Sequence, residues 1–299
     1  MNMEKLFIKS QEYDLSLGIY ACPNPKAIVQ IAHGMQEHKE RYENFASFLN
    51  QNGFLVVTAD MRGHGYDADK LGHFNDRDGY KLLVADQVEI AKFIKNRYPA
   101  LPLYLFAHSM GTIISRVVLQ KHSALYDKVI LSGYPCYQKG THFGKFLADI
   151  IMLFKGKDGH STLLNNLVVG NFNKAVENPE TDVDWISHNK ENIKNYIDDP
   201  YCGFNFTIAA LKDLMSLVCL MHNHKLYKNI NNSIRILLLR GKDDPCVGGD
   251  KGASDSKNVL VKAGFKNIES IDYDNMRHEI LSESEHDKVY ADALNFFNA

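Results

Sequence analysis

Ser109 is the residue whose surroundings point most directly to chemistry. It follows an apolar run at 103–106, and apolar residues then recur at helical spacing at Met110, Ile113, Ile114, Val117 and Val118. The pattern predicts a strand, a sharp turn with the serine at its tip, and a helix. Ala107 and Gly111 are small enough for that turn. Such a helix would direct N–H groups and the positive end of its dipole toward the hydroxyl, which favours a nucleophile over a simple helix-capping serine.

Two further residues have the types and order that an attacking serine requires. A serine hydroxyl is a weak nucleophile, so a base must take its proton and an acid must orient that base. Asp244 follows the apolar run at 234–239, and His278 lies between the run at 267–271 and the last predicted helix. The order serine, acid, histidine along the chain is the one used with this type of serine turn. The alternative for Asp243 and Asp244 is that both are solvated turn residues. The alternative for His278, one of 13 histidines, is that it has no catalytic role.

The oxyanion that forms during attack needs two N–H donors. One is the backbone N–H of Met110, directly after the serine. The second is expected from the loop after the first parallel strand, which reads His33-Gly34-Met35-Gln36-Glu37-His38. A His-Gly turn there would aim the N–H of Met35 at Ser109. A plain glycine turn is the alternative.

These residues need a scaffold, and the hydrophobic pattern predicts an α/β fold. Short apolar runs alternate with helical patterns, and the runs lie at 27–32, 54–59, 103–106, 128–131, 234–239 and 267–271. Two N-terminal segments, 4–9 and 14–20, are expected to form an antiparallel hairpin at the edge. Ser282 and Glu285 have the spacing of a capping box for the last helix. We therefore expect an eight-stranded, mostly parallel sheet with helices on both faces.

One connection is far longer than a crossover requires. Residues 134–232 separate two predicted strands, so we expect an α/β core at 1–133 and 233–299 with an inserted helical cap. The segment 142–154 carries apolar residues on more than one helical face. We expect those that do not pack on neighbouring helices to face a pocket, a partner or a membrane surface. Phe143, Phe146 and Ile150 are the predicted substrate contacts. The alternative is that the apolar stripes only pack on the main domain.

Composition restricts the class of protein. The chain has 45% hydrophobic residues, 23% charged residues and a formal charge of −2, which is typical of a soluble globular protein and gives no drive toward nucleic acid. The five cysteines have no metal-binding spacing, so we expect reduced thiols, a cytoplasmic location and no metal. No signal peptide is expected, and no stretch approaches the roughly 20 apolar residues of a membrane span.

The combination of motifs is similar to a known family. They are His33-Gly34-Met35-Gln36-Glu37-His38, Arg41-Tyr42, Asp60-Met61-Arg62-Gly63-His64-Gly65, His108-Ser109-Met110-Gly111 and Gly241-Lys242-Asp243-Asp244-Pro245. Together they resemble the monoacylglycerol lipase and lysophospholipase branch of α/β hydrolases, also labelled serine aminopeptidase S33. The family usually has glycine where this chain has Ala107.

The resemblance implies a serine esterase that needs no cofactor and acts on single-chain esters such as monoacylglycerols or lysophospholipids. Ser109 would be the nucleophile, Asp244 the acid, His278 the base, and Met35 and Met110 the oxyanion donors. His64 and Arg62 match a loop that supports the site without reacting.

Two rival functions stay open, and the expected partners are few. An aminopeptidase would need cap carboxylates to hold a free amine, and the candidates are Glu177, Asp182, Asp184, Asp198 and Asp199. A non-catalytic ligand-binding relative is the other rival. The expected partners are an ester or lipid substrate and, transiently, a membrane surface, with no nucleic acid and the oligomeric state open.

Overall fold

A twisted sheet of eight strands forms the centre of the protein. The computed structural model describes residues 3–169 and 172–299. The described strands are β1 (Glu4–Ser10), β2 (Tyr13–Tyr20), β3 (Ala27–Ala32), β4 (Phe54–Ala59), β5 (Leu103–His108), β6 (Lys128–Ser132), β7 (Arg235–Gly241) and β8 (Asn267–Tyr273). Their order is β1-β2-β4-β3-β5-β6-β7-β8. Only β2 pairs antiparallel with its neighbours, β1 and β4, so the predicted eight-stranded, mostly parallel sheet is confirmed.

The strand order determines where a site can form. Strand β3 pairs with β4 on one side and with β5 on the other. The connection after β3 therefore leads to one side of this strand, and the connection after β4 leads to its other side. At such a switch point the loops at the carboxyl ends of the strands diverge and leave a crevice. The loops after β3 and β5 begin with His33 and Ser109.

Helices cover both faces of the sheet. The described helices are α1 (Glu43–Gln51), α2 (Gly79–Arg97), α3 (Met110–His122), α4 (Thr141–Lys155), α5 (Thr162–Val168), α6 (Lys190–Asp198), α7 (Ile208–His222), α8 (Gly249–Ala263) and α9 (His286–Asn298). Strand β5 is buried on both faces: Leu103 and Leu105 pack in the core formed with α2 and α3. Tyr104 and Phe106 pack in the core formed with α1 and α9. This double burial explains why the strand is apolar throughout.

The long connection between β6 and β7 contains α4, α5, α6 and α7. Helix α7 packs against α2 and α3, and its residues Leu211, Leu214 and Leu217 are buried in the main core. The alternative interpretation of an apolar stripe that packs on the main domain therefore applies to α7. A separate small cluster, which includes Ile193 and Tyr196, forms around α6.

The capping box predicted for the last helix is wrong, because Ser282 ends a short 3₁₀ turn and Glu285 makes no side-chain capping bond to α9. Among the described residues no helix has both the length and the apolar character needed to cross a bilayer.

Candidate active site

Ser109 lies at the tip of the turn between β5 and α3. Its backbone has φ 49° and ψ −118°, a positive φ that costs energy in a residue with a side chain. Its N–H donates to the carbonyl of Ser132 at 3.0 Å, which fixes the turn against β6. Gly111 packs directly on the backbone carbonyls of Ala32 and His33, where a β-carbon would collide with them. The small residue predicted after the serine is thus required by contact with β3.

Three strand-end loops bring Ser109, His278 and Asp244 into one chain of hydrogen bonds. The distance from Ser109 Oγ to His278 Nε2 is 2.8 Å, and that from His278 Nδ1 to Asp244 Oδ2 is 2.8 Å. The Asp244 side chain is fully buried, and its Oδ1 accepts from the N–H of Cys246 at 2.8 Å. Burial lowers the pKa of His278, but the Asp244 carboxylate raises it, and the resulting pKa lies above the ordinary value.

The neighbouring aspartate has a different environment. Asp243 is exposed, and its Oδ2 lies 2.9 Å from Nε2 of the exposed His188. It does not approach His278, so the structure brings only the second aspartate of the pair to the histidine.

The loop after β3 places Met35 beside the serine. Met35 and Met110 both line the cavity that contains Ser109. The N–H of Gly34 donates to Glu37 Oε1 at 2.5 Å, and Tyr42 donates to the same oxygen at 2.9 Å. A β-carbon on Gly34 would lie 3.1 Å from Ser109 Cβ, so this glycine lets the loop approach the serine closely.

Two buried histidines support that loop. His33 Nε2 accepts from the N–H of Met61 at 2.9 Å, and His64 Nε2 accepts from the N–H of Gln36 at 3.3 Å. Burial lowers the pKa of both histidines, which keeps these rings neutral and able to accept. Arg62 is turned away and forms an ion pair with Asp86 at 2.6 Å.

A buried charged cluster beside the serine was missed by sequence reasoning. Arg41 Nη2 donates to Glu279 Oε2 at 2.6 Å, and Arg41 Nε lies 3.4 Å from Glu37 Oε2. Burial and the charge of Glu279 raise the pKa of Glu37. The spacing of Glu37 and Arg41 is that of an ion pair on one helical turn, but nothing in the sequence indicates that Glu279 completes it.

A cavity of about 210 Å³ opens above the serine. Glu37, Tyr196 and Glu279 form a polar part of its lining, while much of the remainder is apolar. The apolar lining includes Ile113, Phe143, Leu167, Val168, Phe172, Leu214, Met215 and Val218. The Trp185 ring lies 4.8 Å from the His278 ring and also lines the cavity. Trp185, the only tryptophan of the chain, carried no sequence signal for this position.

Of the three predicted substrate contacts, one lines this cavity. Phe143 lines the cavity, but Phe146 and Ile150 are outside its described lining and are 61% and 38% exposed. The reason is the helical rise of 5.4 Å per turn. Only the first turn of α4 reaches the cavity, and these two residues lie about one and two turns beyond it.

The described residues include three groups whose side chains could hold a metal ion. In each, the potential ligand atoms lie within 4.8 Å of one another, and the groups are Asp244, Cys246 and His278; His38, Asp199 and Cys202; and His73, Asp76 and Asp158. The first group includes His278, whose two ring nitrogens are already hydrogen-bonded to Asp244 and Ser109.

Solved structures with the same fold include lipases and esterases. A thermostable carboxyl esterase from Bacillus coagulans, in complex with glycerol, superposes with a TM-score of 0.91 and is 26% identical, covering 100% of this chain and 98% of its own. A soluble variant of monoglyceride lipase from Saccharomyces cerevisiae superposes with a TM-score of 0.72 at 19% identity, covering 100% and 95%. The predicted α/β-hydrolase fold is confirmed.

Curated relatives match over shorter stretches. A monoglyceride lipase homolog of Monkeypox virus is 36% identical over 107 residues, which are 36% of this chain and 38% of the relative. Lysophospholipase L2 of Escherichia coli is 27% identical over 183 residues, 58% of this chain and 51% of the relative. The chain thus spans about half or less of the length of these two relatives.

A family model covers far more of the chain than these pairwise matches. The model for serine aminopeptidase S33 matches residues 23–285, a range that includes the loops carrying Ser109, Asp244 and His278. The chain therefore belongs to the serine aminopeptidase S33 family of α/β hydrolases, and the curated relatives that it is similar to include monoglyceride lipases and lysophospholipases.

Proposed function

We propose that the protein is a serine esterase that hydrolyses single-chain lipid esters through Ser109, His278 and Asp244. The observation that carries the proposal is the continuous hydrogen-bonded chain of these residues, with 2.8 Å at each step, beneath a largely apolar cavity. The family membership and the names of the relatives support the same reaction class.

In the proposed reaction Ser109 Oγ attacks the ester carbonyl while His278 Nε2 accepts its proton. The Asp244 carboxylate holds Nδ1–H and stabilises the imidazolium. The backbone N–H groups of Met35 and Met110 stabilise the oxyanion. His278 then protonates the leaving alcohol, and a water activated by the same nitrogen hydrolyses the acyl-enzyme. No step requires a cofactor.

The lining of the cavity supports a neutral head group. Glu37 and Glu279 are already paired with Arg41, so this guanidinium has no free charge to offer a phosphate. Tyr196 and the two carboxylates can instead hydrogen-bond to hydroxyl groups. We therefore favour a monoacylglycerol over a lysophospholipid, with its acyl chain along the apolar wall. Residues 134–232 would act as the cap that closes this cavity.

The surface beside the cavity supports a transient contact with lipid. The α4/α5 face consists of exposed apolar residues on these two helices: Phe143, Phe146, Ile150, Leu153, Phe154, Leu163 and Leu167. Leu153 and Phe154 are 83% and 85% exposed. Phe143 and Leu167 belong both to this face and to the cavity wall, which gives a continuous apolar path for a substrate. Exposed apolar patches of this kind mark interaction surfaces.

The aminopeptidase alternative has less support. The five proposed amine-binding carboxylates lie outside the described cavity lining. Asp184 accepts from the N–H of Glu180 and Asp199 pairs with His38, so these two are engaged elsewhere. Glu37 and Glu279 do reach the cavity, but both are paired with Arg41, and burial together with the charge of Glu279 raises the pKa of Glu37.

The test combines covalent labelling with a substrate panel. We expect a fluorophosphonate to label the wild type and the exposed-serine control Ser254→Ala, but not Ser109→Ala. The wild type should hydrolyse a medium-chain monoacylglycerol faster than the matching lysophospholipid and faster than an aminoacyl anilide. Labelling of Ser109→Ala would contradict the assigned nucleophile, faster anilide cleavage would favour the aminopeptidase, and absence of labelling in the wild type would favour a binding protein.

A further inference from the structure

A second cluster of reactive side chains lies away from the serine, centred on His38. This buried imidazole has a carboxylate at each ring nitrogen, with Glu40 Oε2 2.8 Å from Nδ1 and Asp199 Oδ2 2.8 Å from Nε2. The rings of Tyr66 and Tyr201 pack near it, with centroids at 5.0 and 6.4 Å. Both nitrogens therefore donate, and the ring is held rigidly in a shielded position.

Cys202 adds a third kind of donor to the cluster. Its thiol is buried, and Sγ lies within 4.8 Å of the ligand atoms of His38 and Asp199. An imidazole nitrogen, a carboxylate oxygen and a sulfur are the three donor types that Zn²⁺ takes in proteins. We propose that His38, Asp199 and Cys202 form a binding site for Zn²⁺, with water as the fourth ligand.

The groups behind the ligands fit this assignment. A metal-bound histidine usually donates its other N–H to a carboxylate, and Glu40 already accepts from His38 Nδ1. The second oxygen of Asp199, Oδ1, accepts from the N–H of Tyr201 at 2.8 Å, which orients the carboxylate. Bond lengths of about 2.0–2.3 Å to Zn²⁺ place tetrahedral ligand atoms roughly 3.3–3.8 Å apart. Coordination would open the 2.8 Å hydrogen bond between His38 Nε2 and Asp199 Oδ2 to that spacing and place the Cys202 sulfur, now within 4.8 Å of the ligand atoms of both residues, at the third position.

The other two groups fit a Zn²⁺ site less well. In the His73 group, Asp76 and Asp158 are exposed, and Asp158 pairs with Lys70 at 2.9 Å. In the Asp244, Cys246 and His278 group, a metal ion would have to break the hydrogen bonds of the proposed catalytic residues. The His38 group has two buried ligands, His38 and Cys202, has oriented groups behind them, and lies apart from the proposed catalytic residues.

The site would join two distant parts of the chain. His38 lies in the loop between β3 and α1, whereas Asp199 and Cys202 follow α6 in the long insertion. These two parts of the chain are already joined nearby by a hydrogen bond, which the N–H of Gly203 donates to the carbonyl of Gln36 at 3.0 Å. Coordination would replace the proton on His38 Nε2 and that on Cys202 Sγ by one ion. Zn²⁺ would thus fasten the insertion to the core next to the cavity.

The test uses Co²⁺ as a spectroscopic substitute in the full-length protein after treatment with a chelator. We expect a near-ultraviolet thiolate-to-Co²⁺ charge-transfer band that saturates at one equivalent and disappears when Zn²⁺ is added. Cys202→Ser should abolish the band, and Glu40→Gln should weaken Co²⁺ binding about 10–100-fold. Zn²⁺ should also raise the Tm of the wild type but not that of Cys202→Ser.

Matched variants separate this site from the other thiols. Cys219→Ser removes a half-buried thiol whose sulfur lies 3.8 Å from His142 Nδ1, and Cys246→Ser removes the thiol near His278. Both should keep the band, and far-ultraviolet circular dichroism should show that every variant is folded. Should Cys202 have a structural role that complicates its replacement, Asp199→Asn must still weaken binding. No band in the wild type, an unchanged band in Cys202→Ser, or its loss only in Cys246→Ser would overturn the proposal.

Discussion

At the scale of single residues, the surroundings of adjacent side chains decide which of them can take part in the reaction. Asp243 and Asp244 are neighbours in the same loop, yet the first side chain is 46% exposed and the second is fully buried beside His278. A buried carboxylate that accepts from Nδ1–H fixes the imidazole tautomer, whereas an exposed one pairs weakly.

The paired aspartates give the first prediction. Asp244→Asn should lower kcat for ester hydrolysis on the order of 10³–10⁴-fold, because the amide favours the wrong imidazole tautomer. Asp243→Asn is the matched control and should change kcat far less. Steady-state kinetics on a soluble ester measure both, and the reverse ranking would show that the wrong carboxylate had been assigned.

The sequence was sufficient to predict which residues meet at the serine, since their order and their positions after strands follow from local patterns. It was insufficient to predict the buried cluster of Arg41, Glu37 and Glu279. Glu279 follows His278 directly, but its pairing with Arg41 depends on how the loops after β3 and β8 approach each other. Such a long-range pairing has no local signature in a single chain.

At the scale of elements, the strands were predicted closely because apolar runs bounded by turn residues are local features. The runs at 27–32 and 54–59 coincide with β3 and β4. The insertion was predicted less well. An apolar helical stripe has the same pattern whether it packs on a core, lines a cavity or faces solvent, and α7 and α4 show all of these arrangements.

The first turn of α4 provides the second prediction. Phe143→Asp should reduce kcat/KM for medium-chain esters strongly and for acetate esters only slightly, because a charge on the cavity wall removes apolar contact with the acyl chain. Phe146→Asp, one turn away and outside the cavity, is the control. With substrates below their aggregation threshold, an equal effect of the two changes would mean that α4 does not contact the acyl chain.

The contact between α7 and α2 provides the third prediction, on stability. Asp213 of α7 accepts from the N–H groups of Tyr80 and Gly79 at the start of α2, but burial raises its pKa from 3.8 to about 6. Between these two pKa values the native state therefore binds more protons than the unfolded chain. The free energy of unfolding consequently falls as the pH rises from about 4 to above 6.

Asp213→Asn lacks this titration. Its free energy of unfolding relative to the wild type should increase by about 2 kcal/mol between pH 4 and pH 7. Urea unfolding at several pH values measures the difference. Asp287→Asn, at a side chain 97% exposed, should track the wild type throughout. A difference for Asp213→Asn that is independent of pH would contradict the raised pKa.

At the scale of the whole molecule, most of the large apolar side chains that are exposed among the described residues lie on the α4/α5 face. The formal charge of −2 offers no attraction to anionic lipid, so binding to a bilayer would depend on apolar burial. This leads to the fourth prediction. The double variant Leu153→Asp/Phe154→Asp should reduce co-sedimentation with phosphatidylcholine vesicles at least tenfold, since each buried side chain contributes about 1.5–3 kcal/mol.

Val261→Asp is the matched control for this surface. Val261 is also exposed, at 53%, but it lies on α8. Vesicle binding that is unchanged in the double variant, or reduced equally in Val261→Asp, would show that the α4/α5 face is not the lipid contact.

The positive φ of Ser109 has a consequence for the conformational stability of the entire protein. A residue with a side chain in this conformation costs on the order of 1–3 kcal/mol, and a glycine avoids most of that cost despite its greater freedom in the unfolded chain. Ser109→Gly should therefore unfold at a higher urea concentration than Ser109→Ala, while neither is active. Equal midpoints would show that the turn is unstrained. If the difference appears, the β-carbon that any nucleophilic side chain must carry strains this turn, and the retained strain reflects selection for activity over stability.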